Sequence, residues 1–439
     1  MRLSKSVLAA MLSLVFLNAS AEPLVVENGL FMHKGKPFYG VGVNYFDGFT
    51  RYAKNEKDES WKKGLQIIKK HEIPFIRIST IGFWPETIQS DYLKDEATKR
   101  EFHRRLNIFM TEADNLGIGV ILDVFWNWTA LLEITGEHAS AIGRDSQTRD
   151  LMKKIIDEMV DQHKDHPALW GWEFTNEGSS FMDLTLQRGY QNYPCLPTRE
   201  GRATPWTPAD NFTHQDMISA IEFFAKEISD RDKRTPIFSG NNVPNPNAFS
   251  LRYLPKSEGN RKDTEAEFGW ILRKNEPDSG NTLSMHLYPE QEGTYFGRKD
   301  SGLEDILEAA MARSHKDKRP FYLGEFGAKR KQVSYDADKK IDQFLSAIYN
   351  QRIQLSSFWV YDFAHQKDTY SVMAGEGRIP TLEKLQKYNE LMRNRAEAVH
   401  IEEPPGPAES WPSLAPDSAN WTPVLACPLK TAAGAATQN

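Results

Sequence analysis

The feature that most limits what this chain can fold into is an alternation repeated eight times: a short, nearly all-apolar run followed by an amphipathic stretch. The runs are FYGVGVNYF (38–46), PFIRIST (74–80), IGVILDVFW (118–126), ALWGWEFTNE (168–177), PIFSGN (236–241), TLSMHLYP (282–289), PFYLGEFGA (320–328) and SSFWVYDF (356–363). A run that is apolar on both faces reads as a strand covered on both faces, as in a parallel sheet wrapped by helices. The stretches between carry the helical period. In RDLMKKIIDEMVDQH (149–163), Leu151, Ile155, Met159 and Val160 form one buried stripe. Further helices fit 59–72, 95–116, 214–230, 302–316, 335–351 and 381–397. The pattern predicts an α/β chain folded as a (β/α)8 TIM barrel with long βα loops. A doubly wound sheet is the competing architecture, but VGVNYFDGF spaces Gly42 and Gly48 wrongly for a dinucleotide-binding turn.

The flanks differ from the repeat. Residues 1–21 carry Arg2 and Lys5, an apolar stretch from Val7 to Leu17, and the small residues Ala19-Ser20-Ala21. This is the pattern of a cleaved secretory signal, too short to span a bilayer, and it predicts a secreted or periplasmic protein. The barrel domain then occupies 22–398, and 399–439 forms an irregular Pro/Ala-rich tail. LVVENGLFMHKGKPFYG reads as a hairpin turning at Lys34-Gly35, placed to close one barrel end. The connections 178–213 and 242–281 are unusually long, and both follow strands, so both belong to the C-terminal face. Losing Arg2 and Lys5 takes the formal charge from −6 to −8. That balance argues against nucleic acid and suits a neutral ligand. No later run reaches membrane-span length, and a monomer is expected. Cys195 and Cys427 are the only cysteines; they allow one disulfide in an oxidising compartment and no structural zinc site.

In a (β/α)8 enzyme the chemistry sits at the C-terminal ends of the strands. Here the second strand offers Arg77, the fourth Asn176-Glu177, the sixth His286 and Tyr288, the seventh Glu325 and the eighth Trp359. Two glutamates facing each other across a barrel mouth suit glycosidic bond cleavage. One carboxylic acid protonates the leaving oxygen, and a second carboxylate attacks the sugar or activates water. Taken singly, Arg77 reads as a structural ion-pair partner, His286 as a strand-end histidine and Trp359 as core or rim. His163 and His166 read as surface residues near a helix end.

Together, Arg77, Asn176-Glu177, His286-x-Tyr288, Glu325 and Trp359 resemble clan A glycoside hydrolases, most of all glycoside hydrolase family 5, the cellulase and mannanase group. The resemblance runs through residues 24–395. It implies Glu177 as acid/base, Glu325 as the nucleophile of a retaining double displacement, and Asn176 on the sugar 2-hydroxyl. It also implies Tyr288 bonding Glu325, Arg77 keeping Glu325 ionised, His286 supporting Glu177 or substrate, and Trp359 beneath the sugar. The aromatics of the fourth strand, Trp170, Trp172 and Phe174, are expected to keep Glu177 dry and protonated.

The third strand departs from the family pattern. LDVFWNWTALLE offers Asp123, Trp126, Asn127 and Trp128 where many members carry a histidine, and the two tryptophans suggest extra stacking. Asn44, Trp84 and Asp362 are further candidates for sugar contacts. The expected substrate is a β-linked polysaccharide or oligosaccharide, mannan slightly ahead of β-glucan. No cofactor or metal is expected, because VGVNYF lacks the His-x-His of a metal-dependent barrel hydrolase. The reading of another class is a carbohydrate-binding barrel without catalysis; loss of either glutamate would mark it, and both are present.

Overall fold

The repeating units become strands because their β-branched and aromatic residues fit a sheet buried on both sides. The structure, a computed structural model, describes residues 21–81, 92–181, 212–255, 257–373 and 378–398. An N-terminal three-stranded antiparallel sheet, β1 (Leu24–Glu27), β2 (Leu30–His33) and β3 (Lys36–Pro37), precedes the barrel. The barrel strands are β4 (Gly40–Asn44), β5 (Phe75–Ser79), β6 (Gly119–Asp123), β7 (Leu169–Glu173), β8 (Ile237–Phe238), β9 (Leu283–Leu287), β10 (Phe321–Phe326) and β11 (Leu355–Phe358). All pair in parallel, in the order β8-β7-β6-β5-β4-β11-β10-β9. Among the described residues a single bridge, Asn242 to His286, joins the two ends beyond the short β8. The expected (β/α)8 barrel is present, with this seam as its thinnest join.

The expected helices form as α2 (Ser60–Lys70), α3 (Glu96–Asn115), α5 (Gln147–His163), α6 (His214–Ser229), α9 (Leu303–Asp317), α10 (Ala337–Asn350) and α11 (Ile379–Ala398). Short helices α1 (Gly48–Lys54) and α4 (Thr129–Thr135) follow β4 and β6. The 242–281 connection, read from sequence as a loop, contains α7 (Ala248–Tyr253) and α8 (Glu265–Lys274). Thr264 and Glu267 form a capping box at the start of α8, a start signal that the dense surrounding charge obscured. Among the described residues no helix is long and apolar enough to cross a membrane. Trp84, Cys195, Cys427, residues 1–20, most of the 178–213 connection and the 399–439 tail lie outside the described residues.

Alternation divides the core into two layers. Val41, Val43, Ile76, Ile78, Val120 and Leu122 belong to the large cluster shared with the helices. Phe75, Ile121, Trp170, Phe238, Tyr322 and Leu355 form a separate cluster with Leu24 and Phe31 of the N-terminal sheet. That sheet therefore closes the barrel bottom, as the hairpin at Lys34-Gly35 predicts. Its turns use Asn28-Gly29 and Lys34-Gly35 at positive φ, which suits tight hairpins. One reading of the helices fails: His163 is 1% exposed, with Nε2 at 3.0 Å from Nδ1 of His103. Burial pushes these imidazoles down, to about 3 for His163 and about 4 for His103.

Trp170 fills the barrel bottom and donates Nε1–H to the Glu22 carbonyl at 2.7 Å. It fits because β6 opens on Gly119, where a Cβ would lie 2.0 Å from the indole Cδ2. Gly119→Ala is expected to force the indole aside and cost about 1–3 kcal/mol. In urea the unfolding midpoint should fall with an unchanged slope; a wild-type midpoint would refute this account of the barrel bottom.

Candidate active site

Two residues beyond the bottom layer, the same strand faces again point inward. Phe75 leads to Arg77 on β5 and Ile121 to Asp123 on β6. Arg77 is 0% exposed, and its guanidinium gathers five acceptors. Nη1 donates to Asn44 Oδ1 at 2.9 Å and Glu325 Oε1 at 2.7 Å. Nη2 donates to Asp123 Oδ2 at 3.2 Å and Asn176 Oδ1 at 3.0 Å, and Nε donates to Glu173. The Trp126 ring lies 4.7 Å from the guanidinium carbon, a cation–π contact. Surrounding carboxylates raise the affinity of Arg77 for its proton, so it stays charged. Burial, with Glu173 close by, pushes Asp123 well above the carboxylate range.

Above this layer the two sequence-predicted glutamates converge. Glu177 follows the end of β7 with φ at +51°, an uncommon conformation for a side-chain-bearing residue. Gly240 makes that turn feasible. Its own φ is +70°, a Cβ there would sit 1.7 Å from the Thr175 carbonyl oxygen, and its carbonyl accepts Glu177 N–H at 2.8 Å. Glu325 sits on β10 in register with His286 of β9. The Tyr288 hydroxyl donates to Glu325 Oε2 at 2.6 Å. His286 Nδ1 lies 3.2 Å from Glu177 Oε1 and 3.6 Å from Glu325 Oε2. The ligand atoms of Glu177, His286 and Glu325 all lie within 4.8 Å of one another, so among the described residues this group has spacing that fits a cation.

The two carboxyls differ in surroundings. Glu177 keeps 30% of its side chain exposed against 4% for Glu325, so it is the one at the open mouth. Loss of water pushes Glu177 up to about 7, opposed by Arg77. Burial pushes Glu325 upward as well, but His286, Arg77 and the Tyr288 hydrogen bond hold it back. Arg77 thus limits the rise rather than depressing the acid outright. His286 is pushed down to about 4 by burial and is neutral near pH 7. Two carboxyl oxygens face its Nδ1, so its one proton belongs there. Among the described residues its buried Nε2 has no hydrogen-bond partner.

Arg77, Asn176, Glu177, His286, Tyr288, Glu325, Trp126 and Trp359 are brought to one mouth. Phe46 links the last two, stacked on Trp126 at 4.9 Å and on Trp359 at 5.1 Å. Other expectations need correction. Asn44 is 0% exposed, spending Oδ1 on Arg77 and Nδ2 on the Gly324 carbonyl at 3.2 Å, so it orients the guanidinium instead of reaching a sugar. Asp123 is likewise buried on Arg77, and Asp362 pairs with Arg51 at 3.1 Å. Trp128 is 1% exposed and packs on Phe212. The fourth-strand aromatics do not surround Glu177. Trp170 lies in the bottom layer, while Trp172 donates to Asp232 at 3.1 Å and Phe174 packs on Phe224 in the helix layer. Glu173 carries no marker in the sequence, because the alternation that would turn it inward slips between β6 and β7. Tyr370, which meets Tyr288 edge-on at 5.9 Å, carried no strand-end signal.

Comparison with known proteins gives the family and the fold. The sequence model of the family described as Cellulase (glycosyl hydrolase family 5) matches residues 33–364. No curated protein sequence matches. Among solved structures, an endo-1,4-beta-mannanase from Rhizomucor miehei superposes with a TM-score of 0.58 at 16% identity, covering 84% of this chain and 99% of that one. A glycoside hydrolase family 5 mannosidase from the same organism gives 0.57 at 13% identity, covering 86% and 99%. The exo-beta-1,4-mannosidase Op5Man5 from Opitutaceae bacterium strain TAV5 gives 0.56 at 15%, covering 85% and 62%. At these identities the likeness establishes the shared fold.

Removing the guanidinium tests the buried layer. Arg77→Met strands Asp123, Glu173 and Glu325 without their cation, at an expected cost of about 3–5 kcal/mol. Asp123 and Glu325, already pushed up by burial, rise further. The folded variant then holds protons that the unfolded chain has lost, so its stability falls as pH rises. Melting curves from pH 5 to 8 should show the gap to wild type widening upward; a constant or narrowing gap would contradict this.

Proposed function

The chain belongs to glycosyl hydrolase family 5, a glycoside hydrolase on a (β/α)8 barrel, and from that premise we propose that it cleaves β-linked polysaccharide or oligosaccharide with retention of configuration. The observation that carries the mechanism is the convergence of Glu177 and Glu325, whose nearest oxygens lie within 4.8 Å across His286. Retaining pairs stand about 5–5.5 Å apart, whereas inverting pairs need roughly 6.5–9.5 Å to admit a water.

The steps follow from the two environments. Glu325, ionised and held by Arg77 and Tyr288, attacks the anomeric carbon while Glu177 gives its proton to the departing glycosidic oxygen. The glycosidic C–O bond breaks, and an ester between the sugar and Glu325 forms. Glu177, now a carboxylate, takes a proton from water as that water attacks the anomeric carbon. The sugar leaves with its original configuration, and both glutamates return to their starting states. Asn176, oriented through its bond to Arg77, is suited to read the sugar 2-hydroxyl, and Trp359 to lie beneath the ring.

We assign β-mannan ahead of β-glucan as substrate. Trp126 and Trp359, joined through Phe46, give the mouth an aromatic wall against which a sugar ring can stack, and solved structures named for mannan and mannoside cleavage share the fold. The protein is proposed to act as an exported monomer, residues 1–21 serving as a cleaved signal.

Proton NMR of the first product formed from a β-mannooligosaccharide should show the β-anomer before mutarotation; an initial α-anomer would mean inversion. Glu325→Ala should lower kcat by at least about 10⁴-fold. Glu177→Ala should keep measurable turnover only of substrates with a good leaving group, rising on addition of azide. The acid form of Glu177 is present below about pH 7 and lost above it. The alkaline fall of kcat/KM should therefore centre near pH 7 and should vanish in Glu177→Ala with an activated substrate.

A further inference from the structure

The loop after β11 ties two aromatic elements of the mouth to one residue, Gln366, through its side chain and its backbone. Trp359 donates Nε1–H to Gln366 Oε1 at 2.7 Å. The Gln366 backbone carbonyl in turn accepts N–H groups from Thr369 at 3.0 Å and from Tyr370 and Ser371 at 3.1 Å. The chain then returns alongside its own start, Val372 N–H bonding the Val360 carbonyl at 3.1 Å and Met373 N–H the Tyr361 carbonyl at 3.0 Å. Arg330 N–H pins the loop from the neighbouring β10 side through the Thr369 carbonyl at 3.0 Å. The result is a closed hairpin with Gln366 at its pivot. Tyr370 is half-buried against the cluster of Phe46, Trp359, Val360 and Phe363. Its ring meets Tyr288 at 5.9 Å and 74°, and Tyr288 is the donor to Glu325.

We propose that Gln366 and Tyr370 form a substrate-positioning unit, Gln366 fixing the plane of Trp359 under the sugar and Tyr370 bracing Tyr288 against the nucleophile. The inference rests on the hydrolase reading above. Neither residue touches the reacting atoms. Gln366 acts through the indole, and Tyr370 acts through a phenol whose other neighbours are Glu325 and Glu177. Glu325 is faced by Arg77, His286, Glu177 and Tyr288, so the Tyr288 bond is one of the contacts that keep it ionised.

The two halves give different kinetic signatures. Gln366→Leu frees the indole N–H and should raise KM for 4-nitrophenyl β-mannoside or β-glucoside about tenfold, the loss of one partly buried hydrogen bond. Gln366→Glu keeps an acceptor and should stay within about threefold of wild type. Tyr370→Ala lets Tyr288 drift and weakens its bond to Glu325. The nucleophile then needs a higher pH to ionise, so the acid limb of kcat/KM should move upward, while Tyr370→Phe keeps the ring and leaves the limb in place.

The proposal is overturned if Gln366→Leu and Gln366→Glu lose equally with a common fall in Tm, or if Tyr370→Ala leaves the acid limb unmoved. If the wild type hydrolyses neither aryl glycoside and also leaves β-mannan, β-glucan and their oligosaccharides uncut, the hydrolase reading fails separately. Tryptophan fluorescence titrations with mannotetraose and cellotetraose then decide the Gln366 half. Weaker binding by Gln366→Leu but not Gln366→Glu supports the positioning unit; equal binding by both, or none by wild type, overturns it.

Discussion

One fully buried guanidinium organises this molecule. Arg77 makes contacts to Asn44, Asp123, Glu173, Asn176 and Glu325, which come from the first, third, fourth and seventh barrel strands or their ends. Taking an ion of this kind out of water costs several kcal/mol, which only well-placed partners repay. The repayment here also ties β5 to β7 and β10, with which it shares no hydrogen-bonded ladder. The same charge reaches Glu325, the proposed nucleophile, directly, so the strand framework and the proposed chemistry depend on one side chain. Asp123, pushed up by burial and by Glu173, is the carboxyl best placed to keep a proton and reduce the negative excess around Arg77.

Above that layer, two identical functional groups are driven apart by their neighbours. Both glutamates lose water and both shift upward. Glu325 is met by Nη1 of Arg77, the Tyr288 hydroxyl and the His286 edge; among the described residues Glu177 has the His286 contact and a more distant cation. The proposed acid and the proposed nucleophile can thus stand within 4.8 Å of each other. His286, neutral and carrying its proton on Nδ1, faces both without adding a third charge. Gly240 supplies the steric opening that lets Glu177 turn into the mouth.

Much of this was legible in the chain. Eight apolar runs separated by helical periods are enough to predict the barrel, and a charged or polar residue at the end of such a run identifies Arg77, Glu177, His286 and Glu325. What escaped has physical causes. Side-chain direction at a strand end depends on register, and β6 and β7 are out of simple step. Glu173 therefore looked like an ordinary strand residue, and the aromatics before Glu177 looked like its shield, although they serve the barrel bottom and the helix layer. Asn44 and Asp123 were legible as polar residues at strand ends, but sequence does not say whether such a group faces solvent or a buried cation. Tyr370 lies on an irregular loop with no period to mark it, and its place depends on the backbone return that Gln366 holds.

The central claim is that Glu325 forms the covalent bond to the sugar. Incubation with an activated 2-deoxy-2-fluoro-β-glycoside, which slows both steps but turnover more, followed by proteolysis and peptide mass spectrometry, tests it directly. A glycosylated peptide carrying the label on Glu325 is the expected result. A label on Glu177, or inactivation-free hydrolysis with no labelled peptide, would contradict it.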